Sequence, residues 1–264
     1  MAYRLAEKFS AYFNRIALVG CGGTGGFAAE GICRLLNKSP GSQLILIDGD
    51  IVEERNFHNQ NFYREDLGRF KSQVLAERLS RGHHISVDYS IYPLQKKKMT
   101  SEPSPLMQCA LVVGCVDNAL ARAAITSHIS IDQWWLDAGN GTEYGQLLVG
   151  NADLDDLLDA FDQEKGLCHA LPLPTLVKPE LLVSPPIQPN SSAQDLTACE
   201  RGPTVNQWMA TLVVEALRKL LEGRLDWWQC FFDLESMSIC TVPSSPEAVA
   251  QVLHISEDKL LRKR

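Results

Sequence analysis

The residues with the clearest chemistry sit in a glycine-rich turn and in the polar stretch that follows the next apolar run. Gly20-Cys21-Gly22-Gly23-Thr24-Gly25-Gly26 contains the spacing G-x-G-x-x-G at Gly20, Gly22 and Gly25. Glycines let a backbone turn tightly and approach a phosphate, and a helix beginning there presents free N–H groups and a partial positive charge. Asp48 ends the next apolar run, the position of a carboxylate that takes a ribose. From Asp48 to Gln60 the chain reads DGDIVEERNFHNQ, with Asp48 and Asp50 two apart, then Asn56 and Gln60. Lys71 follows in Gly68-Arg69-Phe70-Lys71 and can meet phosphate oxygens as a point charge. Two carboxylates, an Asn, a Gln and a Lys exceed what hydride transfer to a nicotinamide needs. They suit a triphosphate with a metal ion. A nicotinamide oxidoreductase is supported by the glycine turn alone, and a tight turn with no ligand is the remaining alternative.

Positioning these groups requires alternating strands and helices. Arg15–Gly20 (RIALVG) and Gln43–Asp48 (QLILID) are short apolar runs of the kind found in buried parallel strands. A helix is predicted from about Thr24 to Leu36, and another over Asp66–Arg81, where apolar residues recur near a helical period. Strands are predicted over Ile85–Tyr92, Cys109–Gly114, Trp134–Ala138 and Gly145–Gly150, with a helix over Ala119–Ser130. This order predicts an α/β, Rossmann-like, mostly parallel sheet flanked by helices. Asp153–Asp162 reads as an acidic helix. Six prolines between Leu171 and Pro189 make a long irregular loop insertion, which is usually functional or mobile. A helix over Pro203–Glu222 and two strands near Cys230–Leu234 and Ser238–Val242 form a C-terminal antiparallel extension. The expected organisation is one domain: a nucleotide-binding half over 1–150, an acidic and Pro-rich region over 151–202, and the last helix and strands over 203–264.

Composition narrows the function classes. The 264 residues are 45% hydrophobic and 22% charged, and the net charge is −7 from 25 basic and 32 acidic side chains. Neither nucleic acid nor an anionic membrane is expected as the main partner. No apolar run is long enough to cross a bilayer, and the first twenty residues lack a secretory pattern, so the expected compartment is the cytoplasm. The eight cysteines include no C-x-x-C pair. Neither a disulfide framework nor a four-cysteine zinc site is expected.

Taken in order, G-x-G-G-x-G, D-x-D-x-V-E-x-x-N-x-x-x-Q, G-x-x-K and Val116-Asp117-Asn118 with Arg122 resemble the ThiF/MoeB/HesA family. These are the ubiquitin-activating-type adenylating enzymes. The resemblance covers roughly residues 15–150 and resumes over Cys199–Gly223. It implies binding of ATP and Mg2+, and adenylation of the C-terminal glycine of a ubiquitin-like β-grasp or sulfur-carrier protein. By position, Gly20, Gly22, Gly23 and Gly25 would belong to the nucleotide site. Asp48 would take the ribose, Asn56 and Gln60 the phosphate region, Lys71 the phosphates, and Asp117 the magnesium ion. Adenylation makes no covalent demand on the protein, so positioning and charge neutralisation carry it. Asn56 and Gln60 could instead cap turns, and Asp117 could cap the helix from Ala119.

The departures are as specific as the matches. The family usually has an Arg directly before the Gln of this run; here that residue is Asn59, and Arg55 or Arg64 would have to substitute. The Arg-bearing N-terminal helix of bacterial members is abbreviated, leaving Arg4. The paired zinc cysteines are missing, and Cys168-His169 has no clear partners, so zinc is not expected. Cys115 follows a strand and reads as core. Cys199 precedes a helix, where a thiol gains thiolate character, and is the candidate nucleophile for thiol-linked transfer; a spare loop thiol is the other reading. A homodimer is expected, paired through the Pro203–Glu222 helix and the strands near Trp134 and Trp135. The alternative to an enzyme is a non-catalytic ATP-binding or scaffold protein of the same fold.

Overall fold

The computed structural model describes residues 2–6, 14–38, 41–83, 85–96, 104–131, 133–183 and 203–262. In chain order the strands and helices are β1 (Arg4–Leu5), β2 (Arg15–Val19), α1 (Gly23–Leu36), β3 (Gln43–Ile47), α2 (Lys71–Gly82), β4 (Ser86–Ser90), β5 (Leu111–Gly114), α3 (Ala119–His128), β6 (Trp134–Asn140) and β7 (Tyr144–Gly150). They continue with β8 (Phe161–Asp162), β9 (Leu167–Cys168), α4 (Pro174–Val177), α5 (Pro203–Leu221), β10 (Trp227–Asp233), β11 (Ser238–Pro243) and α6 (Pro246–Leu253).

The apolar runs pair with one another because each is buried on both faces and each needs two neighbours. An eight-stranded sheet results, in the order β11-β10-β7-β6-β5-β2-β3-β4. The five strands from β6 to β4 are parallel, and β7, β10 and β11 add antiparallel hairpins at the other side. In chain order the parallel strands run 3-2-1-4-5, so the direction of winding reverses between β2 and β5. In such sheets ligands bind beyond the carboxyl ends of the strands at that reversal. The α/β class, the mostly parallel sheet and the antiparallel C-terminal extension thus agree with the sequence.

Strand alternation divides the core into two layers. Ile16, Leu18, Leu111, Val113, Trp134 and Leu136 pack on one face with residues of α1, α2 and α5. Ala17, Val19, Val112 and Trp135 pack on the other with Ile125 of α3 and Leu173. Trp134 and Trp135 are both fully buried within the single chain, on opposite faces. The apolar stripe of α5 (Val205, Met209, Val213, Leu217, Leu220) is buried as well. Part of the apolar surface expected to drive dimer formation is therefore covered within one chain, while Trp208 of α5 remains exposed.

Two further expectations change. Asp153–Asp162 is a single 3-10 turn at Leu154–Leu157 followed by the short strand β8, not a helix. The reason is tertiary: the amides of Asp159 and Phe161 donate to the carbonyls of Lys259 and Leu260 instead of to their own segment. The helix expected from Asp66 starts only at Lys71, because Arg64–Asp66 closes a separate 3-10 turn and Gly68 takes φ +77°. In the Pro-rich stretch, Leu171 and Leu173 are buried, with α4 and a 3-10 turn at Pro179–Leu182 after them. The remainder, including Cys199, lies outside the described residues.

Candidate nucleotide site

The turn after β2 is built from backbone contacts that only glycine allows. Gly20 has φ +90°, and a Cβ there would stand 2.4 Å from the carbonyl oxygen of Cys115. A Cβ on Gly25 would stand 1.9 Å from the carbonyl oxygen of Gly20. These two glycines let α1 begin tight against β2 and β5. Gly22 differs: its nearest neighbours are the side-chain atoms of Gln60, 3.9 Å from an added Cβ. It is the N-cap of α1 and supplies no side-chain cap bond. The first amides of α1 are left for another acceptor.

Gly20, Gly22 and Gly23 border a cavity of about 620 Å³ at the reversal point, which Asp48, Asp50, Asn59, Gln60, Lys71, Cys115, Asp117 and Arg122 also line. That volume lies in the usual range of small-molecule sites. Gly25 and Asn56 are not among the lining residues. Asn56 is buried, and its Oδ1 accepts from the Glu53 amide at 2.9 Å, capping the 3-10 turn Glu54–His58. It holds Gln60 in place from below, through the Gln60 amide on its carbonyl at 2.9 Å. Gln60 itself reaches the cavity, and its buried Oε1 has no hydrogen-bond partner among the described residues.

Asp48 is half-buried. Its Oδ2 accepts from the Cys21 amide at 2.6 Å and its Oδ1 from the Asp50 amide at 2.7 Å. Burial raises its pKa, and those two backbone bonds pull it partly back. Lys71 is buried at the first turn of α2, its Nζ 3.1 Å from Asp50 Oδ2 and its amide 2.9 Å from the Asp50 carbonyl. The pair ties the ammonium to the exposed rim of the cavity.

Beyond β5, Asn118 caps α3: its Oδ1 accepts from the Ala121 amide at 2.8 Å. Asp117 is thereby spared that task and stands exposed at the cavity, where among the described residues its side chain meets Asn118 Nδ2 at 3.4 Å. One turn on, Arg122 is buried, with Nε 3.2 Å from each oxygen of Asp137. Burial raises the Asp137 carboxyl, against the opposing pull of Arg122. The terminal nitrogens of Arg122 have no hydrogen-bond partner among the described residues; Nη2 lies beside Gly139, and both residues line the cavity. Magnesium characteristically takes one or two carboxylates and completes its shell with phosphate and water. Asp117 fits that role, with Asp50 on the facing rim; no group of three or more acidic, His or Cys ligands occurs among the described residues.

Several cavity residues escaped the sequence reading. Asn140 Nδ2 donates to Asn206 Oδ1 at 2.9 Å, and Asn206 Nδ2 donates to the carbonyl of Asn59 at 2.8 Å. This chain of amides joins β6, α5 and the turn where the family has its Arg. Tyr144, Gln146 and Lys178 line the far side. Only the ending of a strand in Gly139-Asn140 hinted at any of them. Arg55 and Arg64 do not line the cavity, so neither occupies the position left by Asn59. Arg4 lies in β1, paired with Leu167, also away from the lining. Cys115 is half-buried and borders the cavity, and burial pushes its thiol far above the usual range.

A glycine turn at the winding reversal of a parallel sheet, opening on a cavity with fixed cations and carboxylates, defines a Rossmann-like α/β protein with a candidate nucleotide site. The chain belongs to the ThiF family, whose sequence model matches residues 5–238. It is 39% identical over 82 residues to the ATP-dependent ubiquitin transferase-like protein Cap2 of Escherichia coli, covering 31% of this chain and 13% of that protein. It is 30% identical over 136 residues to ubiquitin-like modifier-activating enzyme 5 of Dictyostelium discoideum, covering 47% of this chain and 34% of that protein. The chain thus spans about a third or less of the curated relatives it matches. Among solved structures it is similar to Escherichia coli MccB with ATP (TM-score 0.54, 17% identity, 90% of this chain and 65% of the other). PaaA is comparable (TM-score 0.56, 15% identity, 87% and 64%). At those identities the structures support the fold.

Proposed function

We propose that this protein adenylates the C-terminal glycine of a ubiquitin-like β-grasp or sulfur-carrier protein, consuming ATP. The observation that carries this reading is convergence: the uncapped start of α1, Gln60, Lys71, Arg122 and Asp117 all meet in one cavity. A carboxylate oxygen of the donor attacks the α-phosphorus. The new O–P bond forms as the bond to the β-phosphate breaks, and pyrophosphate leaves with that electron pair. The amides of α1 and Lys71 hold the phosphates, and the free nitrogens of Arg122 meet charge developing on them. Asp48 takes the ribose. Asp117 would hold a magnesium ion, whose charge offsets that of the triphosphate. Cys199 would follow: its thiolate attacks the acyl carbon, a thioester forms and AMP departs.

A non-catalytic ATP-binding protein is the second reading, favoured by Asn59, whose buried position is locked to Asn206 and offers no cation. ATP–pyrophosphate exchange with and without candidate β-grasp partners separates the two. Exchange that depends on a partner supports adenylation; ATP binding without any exchange supports the second reading. A homodimer and a cytoplasmic location belong to the same proposal. Among the described residues no helix is long and apolar enough to cross a membrane. Sedimentation at high concentration tests the dimer, and a monomer of chain mass would refute it.

A further inference from the structure

Among the described residues three cations line the cavity: Lys71, Arg122 and Lys178. Lys71 faces Asp50 and Arg122 faces Asp137, so each carries its own carboxylate. Lys178 has none among the described residues. Its Nζ donates to the neutral Oε1 of Gln146 at 2.5 Å and lies 5.1 Å from the centre of the Phe231 ring. A half-buried ammonium held by an amide and an aromatic face is oriented without being neutralised.

Its place in the sheet says which anion it meets. Gln146 is on β7, three strands from β2 and the glycine turn, a separation of about 14 Å at the usual strand spacing. A phosphate at the turn and a carboxylate in attack range of it span a distance of that order, each about 3 Å from its own donor. The phosphates already have the turn, Lys71 and Arg122. We propose that Lys178 receives the free C-terminal carboxylate of the acyl donor and selects for an unblocked chain end. This rests on the adenylation reading above. Lys178 neutralises the carboxylate as it approaches the phosphates, and takes no part in bond making. It also supplies, from the opposite side of the cavity, a cation that Asn59 does not.

The test uses a synthetic hexapeptide ending in Gly-Gly, as the free acid and as its C-terminal amide, titrated at up to millimolar concentration in the presence of a non-hydrolysable ATP analogue. The wild-type protein is expected to prefer the free acid. Lys178→Gln should weaken free-acid binding about tenfold or more, the usual worth of a charged hydrogen bond, and abolish the preference over the amide. Lys178→Arg should restore it, and ATP affinity should stay within about twofold throughout. A wild-type protein without free-acid preference, or a Gln variant that keeps it, overturns the inference. So does a Gln variant that loses ATP affinity, which would place a phosphate at Lys178. Failure of the wild-type protein to bind ATP would instead overturn the adenylation reading.

Discussion

Arg122 Nε lies 3.2 Å from both carboxylate oxygens of Asp137, and both side chains are buried. The pair fixes the guanidinium through Nε, and Nη2 lies beside Gly139. Helix α3 and strand β6 are thereby joined at the floor of the cavity. Removing one partner leaves a buried charge uncompensated. Asp137→Ala should cost about 3–5 kcal/mol in urea unfolding, whereas Arg122→Met with Asp137→Leu should recover most of that. A single variant costing under about 1 kcal/mol would show that the pair is solvated.

Asp117→Ala should abolish ATP–pyrophosphate exchange while leaving unfolding midpoint and circular dichroism unchanged. Asn118, not Asp117, caps α3, so the fold loses little. Native exchange in a natively folded variant would remove Asp117 from the metal role.

Gly22 and Gly25 should respond oppositely to alanine. Gly25→Ala drives a Cβ to within 1.9 Å of the Gly20 carbonyl oxygen, backbone that cannot step aside, and should cost about 2 kcal/mol or more. Gly22→Ala meets nothing closer than 3.9 Å. It should fold with a loss under about 1 kcal/mol, yet bind ATP more weakly because the new methyl projects toward the cavity. Equal stability losses in the two would refute this division.

Acidification should weaken ATP binding through Asp48, whose pKa is raised by burial despite the bonds from Asp50 and Cys21. A protonated carboxyl accepts poorly from a ribose hydroxyl, and the raised pKa brings that loss closer to neutrality than the ordinary value of about 3.9. The fold responds with the opposite sign. The stabilising contribution of Asp48 is full below its unfolded-state pKa and is lost as pH rises through the higher folded value. Titrations from pH 7 to about pH 5 should therefore show falling affinity in the wild-type protein and a flatter profile in Asp48→Asn. Parallel profiles would exclude Asp48 as the acceptor.

The thiols should sort by burial. Burial raises Cys21 and Cys115 strongly, Cys33 to about 12, and Cys109 and Cys230 to about 11. Cys240 is exposed on β11. Brief iodoacetamide treatment of a Cys240→Ser variant should label Cys199 ahead of these five, as a transfer nucleophile requires. Cys199→Ala should keep adenylate formation and lose any thiol-linked conjugate. Labelling of Cys115 before Cys199, mapped by mass spectrometry, would end the two-step scheme.

What local spacing encodes is legible in the sequence by itself. The apolar runs at Arg15–Val19, Gln43–Ile47 and Leu111–Gly114 can be buried only between other strands. The glycines at 20, 22 and 25 permit one kind of turn, and Asp48 and Lys71 follow at the ends of elements defined by their own periodicity. What depends on which strands become neighbours is not legible there. Tertiary packing alone brings Asp137 to Arg122, Asn206 to Asn59, and Lys178 to Gln146 across 32 residues. Competition among close donors and acceptors decides the rest. Asn118 takes the cap that Asp117 could have supplied, and Asn56 closes its own turn instead of facing a ligand. Asp153–Asp162 gives up its helix because the carbonyls of Lys259 and Leu260 offer its amides partners that no neighbouring residue in the sequence announces.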